Sequence, residues 1–135
     1  MVKSITLCLT LVFATQLQAA PEKILYHLNS GRSDVQWKTI TNLENLFLGS
    51  QHDTLDVKII LQGSGINLIN KVNENRDLGL RLSELVDLGL QIEVGRDNYY
   101  KYRHDLNLHH PPQLVSNIFS RIIELQQQGY QYVTP

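Results

Sequence analysis

Four short apolar runs, separated by three amphipathic stripes with helical spacing, leave few folds open to this chain. Lys23-Ile24-Leu25-Tyr26-His27-Leu28 and Val57-Lys58-Ile59-Ile60-Leu61 are nearly continuous in apolar character. That pattern belongs to strands covered on both faces, as in a parallel sheet. Leu90-Gln91-Ile92-Glu93-Val94 alternates more cleanly, and Tyr130-Gln131-Tyr132-Val133 reads as a last strand. Between them, Trp37, Ile40, Leu43 and Phe47 fall on one helical face, with Ser33 and Gln36 as a capping box in front. Leu78, Leu82 and Leu85 form a second stripe that Gly89 can end in a left-handed cap. Leu114, Val115, Ile118, Phe119, Ile122 and Leu125 form the third, with Pro111 and Pro112 at its start and Gly129 at its end. The order β-α-β-α-β-α-β predicts an α/β fold: an open, mainly parallel sheet flanked by helices in a three-layer sandwich.

The first twenty residues read differently. Met1-Val2-Lys3 is a short basic region, Ile5 to Ala14 is apolar without a charge, and Gln18-Ala19-Ala20 ends in small residues. This is the layout of a secretory signal peptide, and its apolar run is too short to span a bilayer as a helix. Residues 1–20 are therefore expected to be removed, leaving a domain over 21–135 that is periplasmic or secreted. Cys8, the chain's single cysteine, lies within the leader. A mature chain without it has no disulfide, thiolate ligand or cysteine nucleophile. Loss of Lys3 moves the formal balance from −1 to −2. Such a balance provides neither the basic footprint of a nucleic-acid binder nor a polybasic segment for a membrane surface.

In an open parallel sheet, ligands bind outside the carboxyl ends of the strands. Three such ends run into Asn29-Ser30-Gly31-Arg32, Gln62-Gly63-Ser64-Gly65 and Gly95-Arg96-Asp97-Asn98. Candidate ligand-binding residues are therefore His27, Asn29, Arg32, Gln62, Gly63, Gly95, Arg96 and Asn98. Arg32 and Arg96 would face a small anion beside backbone N–H groups. The competing reading is ordinary turn chemistry, which favours Gly, Asn and Ser at such positions. Gly63-Ser64-Gly65 lacks the spacing of a dinucleotide or phosphate loop, so no cofactor is expected. His104, His109 and His110 are ligand types without ligand spacing, and no metal is assigned to them. His27, near the carboxyl end of the first strand, is either a satisfied core histidine or a titratable group at the sheet edge. Nothing like Gly-x-Ser-x-Gly supports a hydrolytic triad, and no catalytic residue is assigned.

With these elements in order, the chain resembles the DsrE/DsrF-like sulfur-relay family. The resemblance is carried by "KILYHLN", "NLENLFLGSQHDTLDVKIILQGSGINLI", "LSELVDLGLQIEVGRDN" and "PPQLVSNIFSRIIELQQQGYQYVTP", and covers nearly all of residues 21–135. It implies a small α/β domain that forms homo-oligomers, trimers or hexamers, or pairs with a related cysteine-bearing subunit. Active members carry a persulfide on a cysteine just after the third strand, in a segment like Cys-x-Asn-Thr. Aligned on "GLQIEV", that cysteine falls on Gly95, the asparagine on Asp97 and the threonine on Asn98. Gly95 has no side chain to hold sulfur, so relay through this polypeptide alone is excluded. The resemblance thus implies an exported binding or scaffold domain with a small sulfur anion as its ligand. The alternative is a histidine-dependent or metal-dependent enzyme using His27 or the His104-to-His110 segment.

Overall fold

All five strands of the computed structural model run parallel, in the order β4-β3-β2-β1-β5. The structure describes residues 20–50, 54–70, 76–106 and 111–135; residues 1–19 of the expected leader, and His109 and His110, lie outside them. The strands are β1 (Glu22–Leu28), β2 (Leu55–Leu61), β3 (Gln91–Gly95), β4 (Gln113–Val115) and β5 (Gln131–Val133). Helices α1 (Ser33–Gly49), α2 (Arg76–Asp87), α3 (Arg96–Tyr102) and α4 (Ile118–Gln127) connect them, with 3₁₀ segments at Gly63–Ile69 and Arg103–Asp105. The expected open α/β sandwich is the observed one. No described helix is long and apolar enough to cross a membrane.

Alternate residues of each strand face opposite layers. Ile24, Tyr26 and Leu28 of β1, with Val57, Ile59 and Leu61 of β2, pack against Ile40, Leu43 and Phe47 of α1 and Leu78, Leu82 and Leu85 of α2. This is the principal core, and each fully buried Leu or Ile contributes about 1.5–3 kcal/mol to it. Tyr99 and Tyr102 bring α3 against the same layer. Among the described residues the opposite layer holds α4, whose Ile118, Ile122 and Leu125 meet Leu25, Ile60 and Tyr130. The final crossover, from β4 at one edge to β5 at the other, uses that face.

Three local expectations are corrected. Ser33 does not cap α1: the cap position is Arg32, without a side-chain cap bond, and Ser33 is already helical. Arg32 instead donates to Asp34 in the first turn, which lowers the Asp34 carboxyl below its ordinary range. Second, Leu114 and Val115 belong to a strand, and the last helix starts at Ile118 behind Asn117, whose side chain accepts from Ser120 N–H. Its outer side leaves Phe119 66% and Ile123 56% exposed. Third, Arg96–Tyr102 forms a helix where a connecting loop was expected. Gly89 and Gly129 do end helices with positive φ, 113° and 92°.

The layer beneath α4 is polar towards the amino ends of the strands. Tyr130 donates to Asp56 Oδ2 at 2.6 Å, Lys58 donates to Gln91, and Lys58 and Lys23 stand near the Tyr130 ring. Burial, reinforced by the Asp56 hydrogen bond, pushes the Tyr130 phenol well above its ordinary value. The folded state thus keeps a proton that the unfolded state releases near pH 10, the ordinary tyrosine value. Stability should be full below about pH 10 and fall as pH rises further, because only the unfolded phenol ionises freely. Thermal melts between pH 8 and 11 should show this slope in the wild-type protein and a shallower one in Tyr130→Phe. Equal slopes would remove Tyr130 as the cause.

Candidate functional site at the carboxyl edge of the sheet

Because β1, β2 and β3 are parallel, their carboxyl ends share one edge, which gathers most of the candidate residues. The edge has two centres. The first lies between β3 and β4, which pair Gly95 with Val115. The chain leaves β3 into α3 on the principal-core face and leaves β4 into α4 on the opposite face. This reversal is the topological switch point, the usual crevice for ligands in an open α/β sheet. Gly95, Arg96, Asn117 and Ile118 surround it.

Gly95 is less open than its lack of a side chain implies. A Cβ built there would meet Ile118 Cγ1 at 3.3 Å and Cδ1 at 3.6 Å. The first residue of α4 therefore packs over the Gly95 backbone, and the absent Cβ permits that close approach. A small side chain would require Ile118 to yield by a few tenths of an ångström. Arg96 is exposed and forms no ion pair among the described residues.

The second centre spans β1, β2 and β5. His27 is 7% exposed and points into the α4 layer. Its Nδ1 lies 2.6 Å from Tyr132 Oη and its Nε2 lies 2.8 Å from Gln62 Oε1. Each polar atom is supplied by a different strand end: His27 by β1, Gln62 by the residue after β2, Tyr132 by β5. Gln62 lies one residue beyond the Leu61–Val94 pair, beside Gly95, and so joins the two centres. Asn98 of α3 adds a third link by donating to the Gly63 carbonyl at 3.0 Å.

Two candidates stand apart. Asn29 contributes its carbonyl, which accepts from Ser64 Oγ at 3.4 Å, while that same hydroxyl accepts from Gly31 N–H at 3.0 Å. Those bonds stitch the β1 and β2 loops together. Arg32 is exposed and pairs with Asp34 at 2.8 Å. His27, Gln62, Gly63, Gly95 and Asn98 form one contiguous edge, and Arg96 borders it.

Tyr132 is the residue that sequence reasoning missed. It is 42% exposed, against 7% for His27, the residue its hydroxyl meets. Placing β5 beside β1 in the register Leu25 with Tyr132 brings it to the face of His27. Among the described residues, no three His, Cys, Asp or Glu side chains converge as a metal site, and His104 lies on an exposed 3₁₀ turn. A separate cavity of about 220 Å³ lies towards the opposite end of β3 and β4, lined by Val86, Leu90, Gln91, Ile92, Pro111 and Gln113. Its two glutamine amides and four apolar side chains carry no titratable group.

No protein-family profile and no curated protein matches the chain. Among solved structures, MTH1491 from Methanobacterium thermoautotrophicum, a protein of unknown function, is similar in fold, with a TM-score of 0.71 over 84% of this chain and 99% of that chain. The two are 17% identical, so what this chain shares with the archaeal protein is its open α/β architecture.

Proposed function

We propose that this chain is an exported DsrE-like domain that binds rather than catalyses, with a small sulfur anion as ligand at the carboxyl edge of its sheet. The observation that carries the reading is Gly95. It lies at the switch point, where the family resemblance expects the sulfur-carrying cysteine, and it offers no nucleophile. Polar groups nevertheless surround that point: Gln62, Asn98 and exposed Arg96, with His27 and Tyr132 alongside. In the mature protein, periplasmic or secreted, the domain works as a scaffold in sulfur metabolism. It assembles as a homo-oligomer, trimer or hexamer, or with a related cysteine-bearing subunit. Exposed Phe119 and Ile123 on the outer side of α4 favour such assembly. The sequence supplies no basic surface for nucleic acid, and no membrane contact is proposed after leader removal.

A second reading is a histidine-dependent enzyme. The hydrogen-bonded chain Gln62–His27–Tyr132 favours it, because an oriented imidazole beside a hydroxyl is the arrangement used for general base chemistry.

Thiosulfate or sulfite at ten times its dissociation constant should stabilise the fold by about 1.4 kcal/mol. That corresponds to a melting shift of roughly 5 °C for a domain of this size. Arg96→Ala should abolish the shift while leaving the unliganded melting temperature unchanged, since the side chain is exposed. Absence of any shift across a panel of sulfur oxyanions would sink the anion reading. A monomer by light scattering at micromolar concentration would overturn the homo-oligomer.

A further inference from the structure

We propose that the charge on His27 sets the direction of the Tyr132 hydroxyl, so that Tyr132 offers an acceptor to ligands when His27 is neutral and a donor when it is charged. The inference names a specificity-determining residue for the edge site, and its anion-binding consequence rests on the function proposed above. It begins with the hydrogen-bond inventory of the three groups. Gln62 presents its amide oxygen to His27 Nε2 at 2.8 Å. That oxygen can only accept, so Nε2 must carry a hydrogen in both charge states of the imidazole. Titration is thereby confined to Nδ1, the nitrogen 2.6 Å from Tyr132 Oη.

Neutral His27 has a bare Nδ1, which must accept from the Tyr132 hydroxyl. The single phenolic hydrogen is then turned inward, and only oxygen lone pairs face solvent. Charged His27 donates from Nδ1, Tyr132 accepts, and the phenolic hydrogen is free to turn outward. No heavy atom has to move. Of the two residues Tyr132 is the one a ligand can reach, being 42% exposed against 7% for His27.

The surrounding charges do not compete for the imidazole. On the same sheet face, His27 is in register with Ile60 and, beyond it on β3, with Glu93, which Arg121 of α4 engages through both carboxylate oxygens. Lys58 and Asp56 of β2, Lys23 of β1 and Tyr130 just ahead of β5 lie nearer the amino ends, linked to Gln91, to one another or to Gln128. Glu124 joins Arg121 on α4, and Arg96 and Asp97 open α3. Among the described residues, the hydrogen-bond partners of the imidazole are Tyr132 and Gln62. The ligand class follows from acceptor and donor matching. A small oxyanion, which only accepts, fits charged His27; an ammonium or hydroxyl donor fits the neutral state.

The test combines imidazole nitrogen NMR on the full mature chain with sulfate and thiosulfate titrations from pH 5 to 8. Neutral His27 should be protonated on Nε2, with Nδ1 as the nitrogen that titrates. Anion affinity should fall by about tenfold in all as His27 loses its charge with rising pH, the scale of the one hydrogen bond that Tyr132 then no longer donates. His27→Gln should flatten that slope. Tyr132→Phe should weaken binding roughly tenfold at low pH, the scale of one hydrogen bond to a charged ligand, and leave it unchanged at high pH. A neutral imidazole protonated on Nδ1, or a slope that survives in His27→Gln, would overturn the inference and leave an anion site standing. No anion binding at any pH would remove the anion reading, and the nitrogen spectrum would then decide the hydroxyl switch by itself.

Discussion

Gly65→Ala should lower the melting temperature by about 12 °C, the equivalent of roughly 3 kcal/mol in a domain of this size. A Cβ at position 65 would lie 2.2 Å from the Leu28 carbonyl oxygen, 2.8 Å from its carbon and 3.3 Å from Asn29 N. All three are backbone atoms at the end of β1, so no side-chain rotation relieves the clash. The same Leu28 oxygen accepts from Gln62 N–H at 2.9 Å, the bond that leads β2 into the edge site. Displacing it therefore disturbs the His27–Gln62 contact as well as the fold. Gly79→Ala is the control: it lies within α2 with nothing within 4 Å of its Cβ position. There the helix propensity of alanine should add up to about 1 kcal/mol. If Gly65→Ala melts within about two degrees of the wild type, the close approach does not constrain the fold.

That close approach bears on how much could be read beforehand. The Gln62-Gly63-Ser64-Gly65 loop offers glycine both as a ligand cradle and as ordinary turn chemistry. At Gly65 the structural demand is the tight passage against Leu28, and a glycine in sequence does not reveal which neighbour requires it. The short apolar runs of β1 and β2 were legible because burial on both faces leaves little room for polar residues. β4 was not, because Leu114 and Val115 continue the helical spacing of Ile118, Ile122 and Leu125. Asn117 carried the true signal, since a side-chain acceptor at that position satisfies an N–H of the first turn. α3 was hidden for the opposite reason: Arg96–Tyr102 buries no residue and shows no apolar stripe.

For the site, parallel strands made the shared edge predictable, and five candidate residues gather there. What sequence could not supply was strand order. Tyr132 meets His27 only because the last strand crosses the sheet to pair with the first, a contact between residues 105 positions apart. The engagement of Arg32 by Asp34, two residues away, is a local pairing that the Arg32-Ser33-Asp34 spacing already contains. Gly95 remains meaningful in two ways at once. It marks the switch point, and it lets Ile118 seat α4 against β3.

Arg121→Leu should destabilise the fold by about 3–5 kcal/mol, read from urea unfolding, because it strands a buried carboxylate. Glu93 is fully buried and accepts from Arg121 Nε and Nη2, both at 2.8 Å, while Nη1 reaches Glu124 at 3.0 Å. The hydrogen bonds to Glu93 outweigh burial and raise the Arg121 guanidinium above its ordinary value, so it stays charged throughout the accessible pH range. This pair fixes α4, the helix that covers its face of the sheet among the described residues, and through Ile118 it fixes the cover over Gly95. Glu93→Leu combined with Arg121→Leu should recover most of the loss, since removing both charges also removes their desolvation cost. A loss under about 1 kcal/mol at neutral pH, or a double variant as unstable as the sum of its parts, would show that the pair does not act as a buried unit.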